Sequence, residues 1–263
     1  MAGRSAAELF GEVPGSYHRS RPRYPDAVFD RLVEVCELAP GDAVLEVGSG
    51  TGIATAALLR RGLAVTGIEP SPEMAEVALR HLGRGGRFQV ATCSFESWDP
   101  GPARYSAVVS AQAWHWVDPE VRYRKAAGLL RPGGWLALVW NRPVGGDAEV
   151  RRGLDLAYSR LAPELAARPP GELGLDRGEE ITASGLFCDL RRERFGFTVD
   201  YGAGAYARLM ETQSDHRRLP EARRRALLTA IAEVIAAAGG RYRVGWEALL
   251  YLARRRSPSR AFP

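Results

Sequence analysis

Three glycines at alternate positions, Gly48, Gly50 and Gly52, form the pattern of this 263-residue chain that points most directly to chemistry. They follow an apolar run, and a helical pattern follows them. Because glycine has no Cβ atom, the backbone can turn sharply and a ligand can lie against it. Free N–H groups and the dipole at a helix start favour an anionic group such as a carboxylate. The sequence therefore predicts a binding loop for a ligand that carries an anionic group.

Two acids accompany this loop. Glu46 lies in the apolar run before it, and Glu69 comes 17 residues after Gly52. A carboxylate at the end of the next parallel strand borders the same crevice and can accept hydrogen bonds from both cis hydroxyls of a ribose. Glu46 suits a ligand with an ammonium group, whereas a diphosphate would gain nothing from it. The spacing is GxGxG, and Ile53 occupies the place of the third glycine of a dinucleotide site. The pattern favours a nucleoside cofactor with an ammonium group. The alternatives are a dinucleotide and a glycine turn without a ligand.

The elements that position these residues follow from an alternation of short β-branched runs with helical stretches between Pro40 and Trp140. Such alternation predicts parallel strands joined by right-handed crossovers, and hence an open doubly wound sheet. The predicted strands of this core are 42–47, 63–68, 88–91, 105–110 and 135–140, and its predicted helices are 53–61, 72–82 and 118–130. Outside the core the pattern predicts helices at about 26–38, 145–167 and 221–238, a loop at 168–177, and strands within 194–201 and 242–253.

The ordered motifs of this core are VLEVGSGTG (44–52), GIEPS (67–71), AQAWHW (111–116) and RPGG (131–134) before a WLALVW strand. As a set they resemble the class I S-adenosylmethionine-dependent methyltransferases, of the methyltransferase type 11-like kind. The flanking motifs resemble a bacterial subgroup near the trans-aconitate methyltransferases: Tyr17, Arg21-Pro22, Tyr24-Pro25 and Thr212-Gln213-Ser214.

The resemblance implies an α/β fold with a doubly wound, Rossmann-like sheet of seven strands. Their order would be 3-2-1-4-5-7-6, with strand 7 antiparallel, and 195–201 and 242–252 would supply the last two strands. We expect one domain in three parts: residues 1–39 as an N-terminal lid segment and helix, 40–141 as the S-adenosylmethionine-binding core, and 142–263 as a C-terminal helical elaboration with substrate-covering elements.

Carried over residue by residue, the resemblance implies S-adenosyl-L-methionine as the cofactor. Glu46 would lie near its amino group, and Glu69 would bind its ribose. The loop around the methionine moiety would be formed by Gly48, Ser49, Gly50 and Gly52. Near the adenine we expect Pro70, Met74, Ser94 and Phe95, and on the floor near the sulfonium Ala111 and Gln112. Ser94 and Phe95 stand where the family often has Asp and Ala, so a hydroxyl replaces the usual adenine contact.

Methyl transfer from a sulfonium requires alignment, desolvation and, if the nucleophile carries a proton, a base. His115 is the candidate catalytic base, because an unperturbed imidazole titrates near pH 6.5. The alternative is a packing role for the Trp114-His115-Trp116 cluster. The candidate acceptor contacts are aromatic or able to grip a carboxylate: Tyr17, Arg21, Trp114, Trp116 and Trp140. Here the alternatives are core packing for the tryptophans and a surface lid for Tyr17 and Arg21.

Composition narrows the function further. With 46% hydrophobic and 25% charged residues the chain is globular, no run is long enough for a membrane span, and the N-terminus lacks a secretory apolar region, so we expect a cytoplasmic protein. Three scattered cysteines without a CxxC pair do not favour a disulfide framework or a metal site. The net charge of +5 is modest, and the arginine runs at 223–225 and 254–256 do not favour nucleic acid unless they form one basic face.

We therefore expect an S-adenosylmethionine-dependent methyltransferase that acts on a small-molecule acceptor, and the resemblance alone implies transfer to oxygen. The alternatives are an RNA methyltransferase, a non-catalytic S-adenosylmethionine-binding module and a dehydrogenase. The sequence leaves the oligomeric state open.

Overall fold

A computed structural model describes residues 10–83, 86–166 and 177–257. The contacts between residues divide the chain into two compact units. The first contains the described N-terminal residues up to Arg23, the chain from Asn141 onward to 166, and Gly196–Glu247. The second contains Tyr24–Trp140, the chain from 177 to Phe195, and the chain from Ala248 onward. The expected division into 1–39, 40–141 and 142–263 stays a prediction. Except for its last residue, the predicted loop at 168–177 lies outside the described residues.

Strands and helices alternate along the second unit, whereas the first unit is mainly helical. The strands are β1 (Ala43–Val47), β2 (Ala64–Ile68), β3 (Phe88–Ala91), β4 (Tyr105–Ala111), β5 (Leu130–Gly146), β6 (Phe187–Gly202) and β7 (Arg241–Arg255). The α-helices of the described residues are α1 (Pro14–Ser20), α2 (Asp26–Val35), α3 (Ile53–Arg60), α4 (Pro72–Leu82), α5 (Pro119–Leu129), α6 (Ala148–Leu161), α7 (Pro163–Ala166), α8 (Arg177–Ala183), α9 (Ala203–Glu211), α10 (Ser214–Arg218) and α11 (Glu221–Ala237). A short 3₁₀ turn covers Trp114–Trp116.

The strands form one sheet of order β3-β2-β1-β4-β5-β7-β6, with β7 antiparallel. This confirms the predicted fold. Strand β1 lies between β2 and β4 and is parallel to both, so that Glu46 is opposite Gly67 on one side and Val109 on the other. The carboxyl ends of these three strands therefore meet at one edge of the sheet, where the glycine loop and Glu69 begin.

Helix α4 shows how local signals fix an element of the core. The hydroxyl of Ser71 accepts a hydrogen bond from the Met74 N–H at 3.3 Å, and Pro72 occupies the first helical position. The helix ends at Gly83, whose φ of +86° lies in the left-handed region that glycine tolerates. Its bounds are those predicted from the sequence, and its buried face includes Met74 and Ala78.

Strand β5 begins earlier than predicted. Tyr105 of β4 pairs with Leu130, whereas Ala107 pairs with Trp135, so the RPGG segment forms a bulge in the strand. The proline and glycines that indicate a helix stop therefore lie within the pairing of β5 with β4.

The predicted helix at 145–167 is two helices, α6 and α7. Ala162, at φ −151°, interrupts the helix, because the residue before a proline is driven out of the helical region and Pro163 follows. Helix α11 lies within one residue of its predicted range. Strand β6 starts seven residues before its predicted range. The prediction missed this first half because its residues do not alternate between buried and exposed.

The first unit has an apolar core of its own, formed by residues of its helices and strands that include Leu209, Leu227, Ile231, Ile235 and Trp246. Helices α6 and α11 approach closely at Gly153. A Cβ atom on this residue would lie 2.6 Å from Val234 Cγ1. No helix in the part of the chain that the structure describes combines the length and apolar character of a membrane span. The cytoplasmic location stays a prediction.

Candidate cofactor site

The three glycines of the loop after β1 have different roles. All three have positive φ, at +71° for Gly48, +56° for Gly50 and +82° for Gly52. A Cβ atom on Gly48 would lie 2.2 Å from Ala113 Cβ, and one on Gly52 would lie 2.6 Å from a Leu82 methyl group. On Gly50 the nearest atom would be a side-chain methyl at 3.6 Å, an ordinary contact. Protein packing therefore requires glycine at the outer positions, whereas the middle one leaves room for a ligand.

Several N–H groups of this loop donate within the protein. Those of Gly48 and Ser49 donate to the Ile68 carbonyl at 2.8 and 3.0 Å. The Gly52 N–H donates to the Ser49 carbonyl at 3.0 Å. The end of β2 thus supplies acceptors that the loop sequence does not reveal. The loop still offers a ligand its shape and its hydroxyl groups.

Glu69 fastens the loop to the chain after β2. One carboxylate oxygen accepts the Gly50 N–H at 2.8 Å, and the other accepts the Ser71 N–H at 2.9 Å. The residue is 8% exposed. Burial raises the pKa of its carboxyl, against the effect of these two hydrogen bonds. A carboxylate oxygen can accept two hydrogen bonds, so each can still take a hydroxyl donor, as the predicted ribose contact requires.

Glu46 has a carboxylate oxygen without a partner. The side chain is fully buried, and its Oε2 accepts the Thr55 hydroxyl at 2.6 Å. Its Oε1 is buried and has no hydrogen-bond partner among the described residues. Burial raises the pKa of this carboxyl to about 8, and the nearby charge of Glu69 adds to the rise. Since an unsatisfied buried acceptor is costly, this oxygen fits a ligand that brings a cationic donor, such as an ammonium group.

Hydroxyl groups add to the polar lining of the loop. Ser49 Oγ and Thr51 Oγ1 are buried and lack a hydrogen-bond partner in the described part of the chain. Gly67 makes room for the serine, because a Cβ atom there would lie 2.8 Å from Ser49 Oγ. Ser49 was among the predicted residues, but Thr51 was not. Its position inside the glycine motif is the signal that could have found it.

The residues expected near the adenine lie in different settings. Met74 is buried, and its terminal methyl group is the one that faces Gly50, whereas Pro70 is exposed. The Phe95 ring is buried and packs 6.1 Å from the Trp114 ring. The Ser94 hydroxyl accepts the N–H of Ser97 at 3.2 Å. Met74 is thus brought to the loop, and the adenine contacts of this group stay a prediction.

The end of β4 is brought against the glycine loop. Ala111 is the last residue of the strand and pairs with Val139, and the Gln112 N–H donates to the Val139 carbonyl at 2.9 Å. Gln112 has a φ of +61°, which is rare outside glycine and must be stabilised by its surroundings. Ala113 then lies beside Gly48. The structure therefore places the predicted floor residues next to the predicted loop.

The Trp-His-Trp segment continues from this point as the 3₁₀ turn. The His115 ring is exposed over part of its surface and lies 5.0 Å from the Trp116 ring. Burial of the rest of the ring, together with the charges of Arg177 and Arg122, lowers the pKa of His115 to about 4. An imidazole with this pKa is neutral at pH 7 but a weak base. Its catalytic role stays a prediction, with less driving force for proton transfer than an unperturbed histidine would have.

The tryptophans divide between core and surface. Trp114 and Trp140 have at most 1% of their surface exposed, whereas Trp116 is 38% exposed. The Trp140 ring packs 6.0 Å from Tyr251, and the Arg177 guanidinium lies 5.7 Å from the Trp140 ring centre. Trp114 and Trp140 therefore have the contacts of core residues. Their expected role as acceptor contacts is not tested by this geometry.

Tyr17 and Arg21 lie in the first unit. Arg21 donates to the Thr212 carbonyl at 2.7 Å, and its guanidinium stacks 4.8 Å from the Tyr17 ring centre. The two flanking motifs, whose contacting residues are 191 positions apart in the sequence, are thus neighbours within one unit. Their contact with a cofactor or an acceptor stays a prediction.

Among the described residues there is no group of three or more His, Cys, Asp or Glu side chains that could hold a metal ion.

Comparisons with known sequences identify relatives of this chain. A family model described as "Methyltransferase domain" matches residues 45–138. An uncharacterized methyltransferase of Mycobacterium tuberculosis is 41% identical over 138 residues, which cover 52% of this chain and 54% of that protein. The chain thus spans about half the length of this relative. An uncharacterized methyltransferase of Geobacillus kaustophilus is 33% identical over 174 residues, which cover 62% of this chain and 79% of that protein.

Solved structures show the same fold. A candidate type II methyltransferase from Anaeromyxobacter dehalogenans is 27% identical, with a TM-score of 0.67 over 89% of this chain and 97% of that one. Phosphoethanolamine N-methyltransferase 2 of Haemonchus contortus, solved with S-adenosyl-L-methionine, is 17% identical, with a TM-score of 0.58 over 97% of this chain and 61% of that one. At such low identity the second likeness concerns the fold alone. Sequence motifs, sheet order and these relatives together place the chain in the family of class I S-adenosylmethionine-dependent methyltransferases.

Proposed function

We propose that this chain transfers a methyl group from S-adenosyl-L-methionine to an oxygen atom of a small-molecule acceptor. The observation that carries the proposal is the unpartnered, buried Oε1 of Glu46 beside a loop whose middle glycine, Gly50, leaves room for a ligand. A cofactor with an ammonium group and a ribose matches this oxygen and the carboxylate of Glu69. The narrower resemblance to the trans-aconitate subgroup stays a prediction.

The residues of the site have separate tasks in this proposal. Glu46 holds the ammonium group of the cofactor, and Glu69 accepts the ribose hydroxyls while it keeps the loop closed through Gly50. Bound there, S-adenosyl-L-methionine supplies an electrophilic methyl group on a sulfonium. The fold then aligns the acceptor with that methyl group and excludes water. The turn at 113–116, which lies against the loop, is the protein surface from which acceptor contacts would come.

The preference for oxygen rests on the family resemblance, and the low pKa of His115 is compatible with it. With a pKa of about 4, His115 removes a proton poorly from an alcohol or an amine at neutral pH. An acceptor oxygen that is already ionised, such as that of a carboxylate, needs no base. In that case the site, with Glu46 and Glu69 holding the cofactor, would need only to position the acceptor oxygen in line with the methyl group that the cofactor supplies.

A small molecule is a better acceptor than RNA because both arginine runs have partners within the protein. Arg223 binds the Glu164 carboxylate at 3.0 Å, and Arg256 donates to the Phe187 carbonyl at 2.9 Å. The carboxylate of Glu164 offsets the charge of Arg223, and Arg256 is engaged with the protein backbone, so both groups are less available to phosphates. This supports the small-molecule acceptor over the RNA alternative.

Methyl transfer with a labelled cofactor tests the proposal. The protein is incubated with S-adenosyl-L-methionine labelled in the methyl group and, separately, with a low-molecular-mass cell extract and with total RNA. We expect label in the small-molecule fraction, and we expect mild alkali to release it as methanol, because a methyl ester hydrolyses whereas an N- or C-methyl group does not. Label in RNA would contradict the small-molecule acceptor. Tight S-adenosylhomocysteine binding without transfer to either fraction would identify a non-catalytic binding module, and binding of NADH instead would identify a dehydrogenase.

A further inference from the structure

The side chain of Glu180 on α8 gathers three donors in the second unit. Its carboxylate accepts hydrogen bonds from Arg122, from Arg177 and from the Tyr123 hydroxyl, the last at 2.9 Å. The Arg122 and Glu180 side chains are only 8% and 14% exposed. Removing one partner from so enclosed a pair leaves the other charge uncompensated, which is strongly unfavourable. Glu180 is therefore the acid on which the position of both arginines depends.

Arg122 links this acid to the turn at the end of β4. While one terminal nitrogen of Arg122 binds Glu180, the other donates to the Trp114 carbonyl at 3.3 Å. Tyr123, the second donor from α5, places its ring 5.6 Å from the Trp114 ring. The backbone and the side chain of Trp114 are thus both held by groups that bind Glu180.

The position of this turn limits the shape that the glycine loop can take. Ala113 immediately precedes Trp114 and occupies the space where Gly48 would carry a Cβ atom. Before it, Gln112 has a backbone conformation at φ +61° that only its surroundings can maintain. A shift of the turn would therefore move Ala113 against Gly48 and change the shape of the loop. A continuous series of contacts joins Glu180 to that loop.

We propose that Glu180 is a positioning residue of the cofactor site: through Arg122 and Tyr123 it holds the turn at 114–116, and through Ala113 it fixes the glycine loop. This inference rests on the proposed function, because its consequence is the binding of the cofactor. None of the hydrogen bonds of Glu180 described above is made to a residue that is predicted to contact the cofactor.

The test compares Glu180→Gln with Glu179→Gln. Both variants lose one negative charge from adjacent positions of α8, but Glu179 is exposed. An amide keeps the shape of the acid and cannot accept three donors, so we expect the dissociation constant of S-adenosylhomocysteine, measured by calorimetry, to rise at least fivefold in Glu180→Gln. We expect no change in Glu179→Gln.

A spectroscopic readout separates positioning from general stability. The His115 ring lies 5.0 Å from the Trp116 ring, whose ring current makes the His115 resonances sensitive to the geometry of the turn. We expect these resonances to move in Glu180→Gln at pH 7, while those of His81 on α4 stay in place. A variant with a lower melting temperature but unchanged S-adenosylhomocysteine affinity and unchanged His115 resonances would overturn the inference, since Glu180 would then only stabilise the fold.

A milder variant guards against loss of folding. Tyr123→Phe removes one donor to Glu180 and leaves both arginines, so we expect a smaller effect on affinity and on the His115 resonances, in the same direction. Unchanged values in this variant together with a folded, fully binding Glu180→Gln protein would again refute the positioning role. If the wild-type chain does not bind S-adenosylhomocysteine, the proposed function fails and the inference fails with it. If the wild type binds and Glu180→Gln binds equally well, the inference alone fails.

Discussion

Cofactor binding should release a proton from Glu46. The pKa of its carboxyl is raised from 4.5 to about 8, chiefly by burial. At pH 7, one unit below this pKa, about ten molecules carry the proton for each that is ionised. An ammonium group bound at Oε1 favours the carboxylate, so binding should release about 0.9 proton at pH 7. Ionisation before binding costs about 1.4 kcal/mol at this pH, which is a factor of about ten in affinity.

Calorimetry measures this proton directly. S-adenosylhomocysteine, which carries the same ammonium group, is titrated into the protein at pH 7 in two buffers of different ionisation enthalpy, and the difference in observed enthalpy gives the number of protons released. Glu46→Gln keeps the shape of the protonated acid and can still accept the Thr55 hydroxyl, so this variant should fold and release no proton. Glu76→Gln, on the exposed side of α4, serves as the matched control and should behave as the wild type.

A wild-type enthalpy that does not depend on the buffer would refute this reasoning, as would an equal proton release from Glu46→Gln. The same pKa shift has a consequence for stability. Between pH 4.5 and about 8 the unfolded chain gives up the Glu46 proton while the folded chain keeps it. The free energy of unfolding of the cofactor-free protein should therefore fall as the pH rises through this range, and it should fall less in Glu46→Gln.

Three further substitutions test other parts of the site. Glu69→Ala should weaken S-adenosylhomocysteine binding by about 1–3 kcal/mol in calorimetry, the usual cost of a lost buried polar contact; an unchanged affinity would mean that the ribose lies elsewhere. Gly48→Ala should lower the melting temperature, because the new methyl group would lie 2.2 Å from Ala113 Cβ; a fully stable variant would contradict that packing. Arg177→Gln should raise the pKa of His115 from about 4 toward 6.5, as followed by NMR, because a nearby positive charge disappears; a constant value would show that Arg177 does not contribute and that burial and Arg122 set the pKa.

Local signals carried the prediction of several elements. Helix α4 was predictable because its cap at Ser71, its proline and its final glycine all lie within the helix or next to it. The bulge in β5 was not, because RPGG has the local pattern of a chain reversal and only pairing with β4 keeps it in the strand. The order of the outer strands β7 and β6 came from the resemblance to a family and could not come from alternation alone.

The candidate site shows the same division. The glycine loop and its two acids were found from spacing, since they lie within 24 residues of one another. The use of the loop N–H groups by Ile68 was not foreseen, because no pattern in the loop specifies an acceptor from the next strand. Glu180 and Arg177 are more than 60 residues from His115, and nothing in the sequence around them connects them to it. Long-range contacts of this kind require the three-dimensional structure.

Glu69 joins recognition of the sugar to the rigidity of the loop. Its two oxygens already hold the amides of Gly50 and Ser71, and bound hydroxyls would add two more donors to the same carboxylate. A carboxylate that gains donors becomes less free to rotate, so a bound ligand should keep both amides protected for longer. Amide hydrogen exchange at these two positions should then slow on addition of adenosine alone, even though that molecule lacks the amino-acid portion of the cofactor.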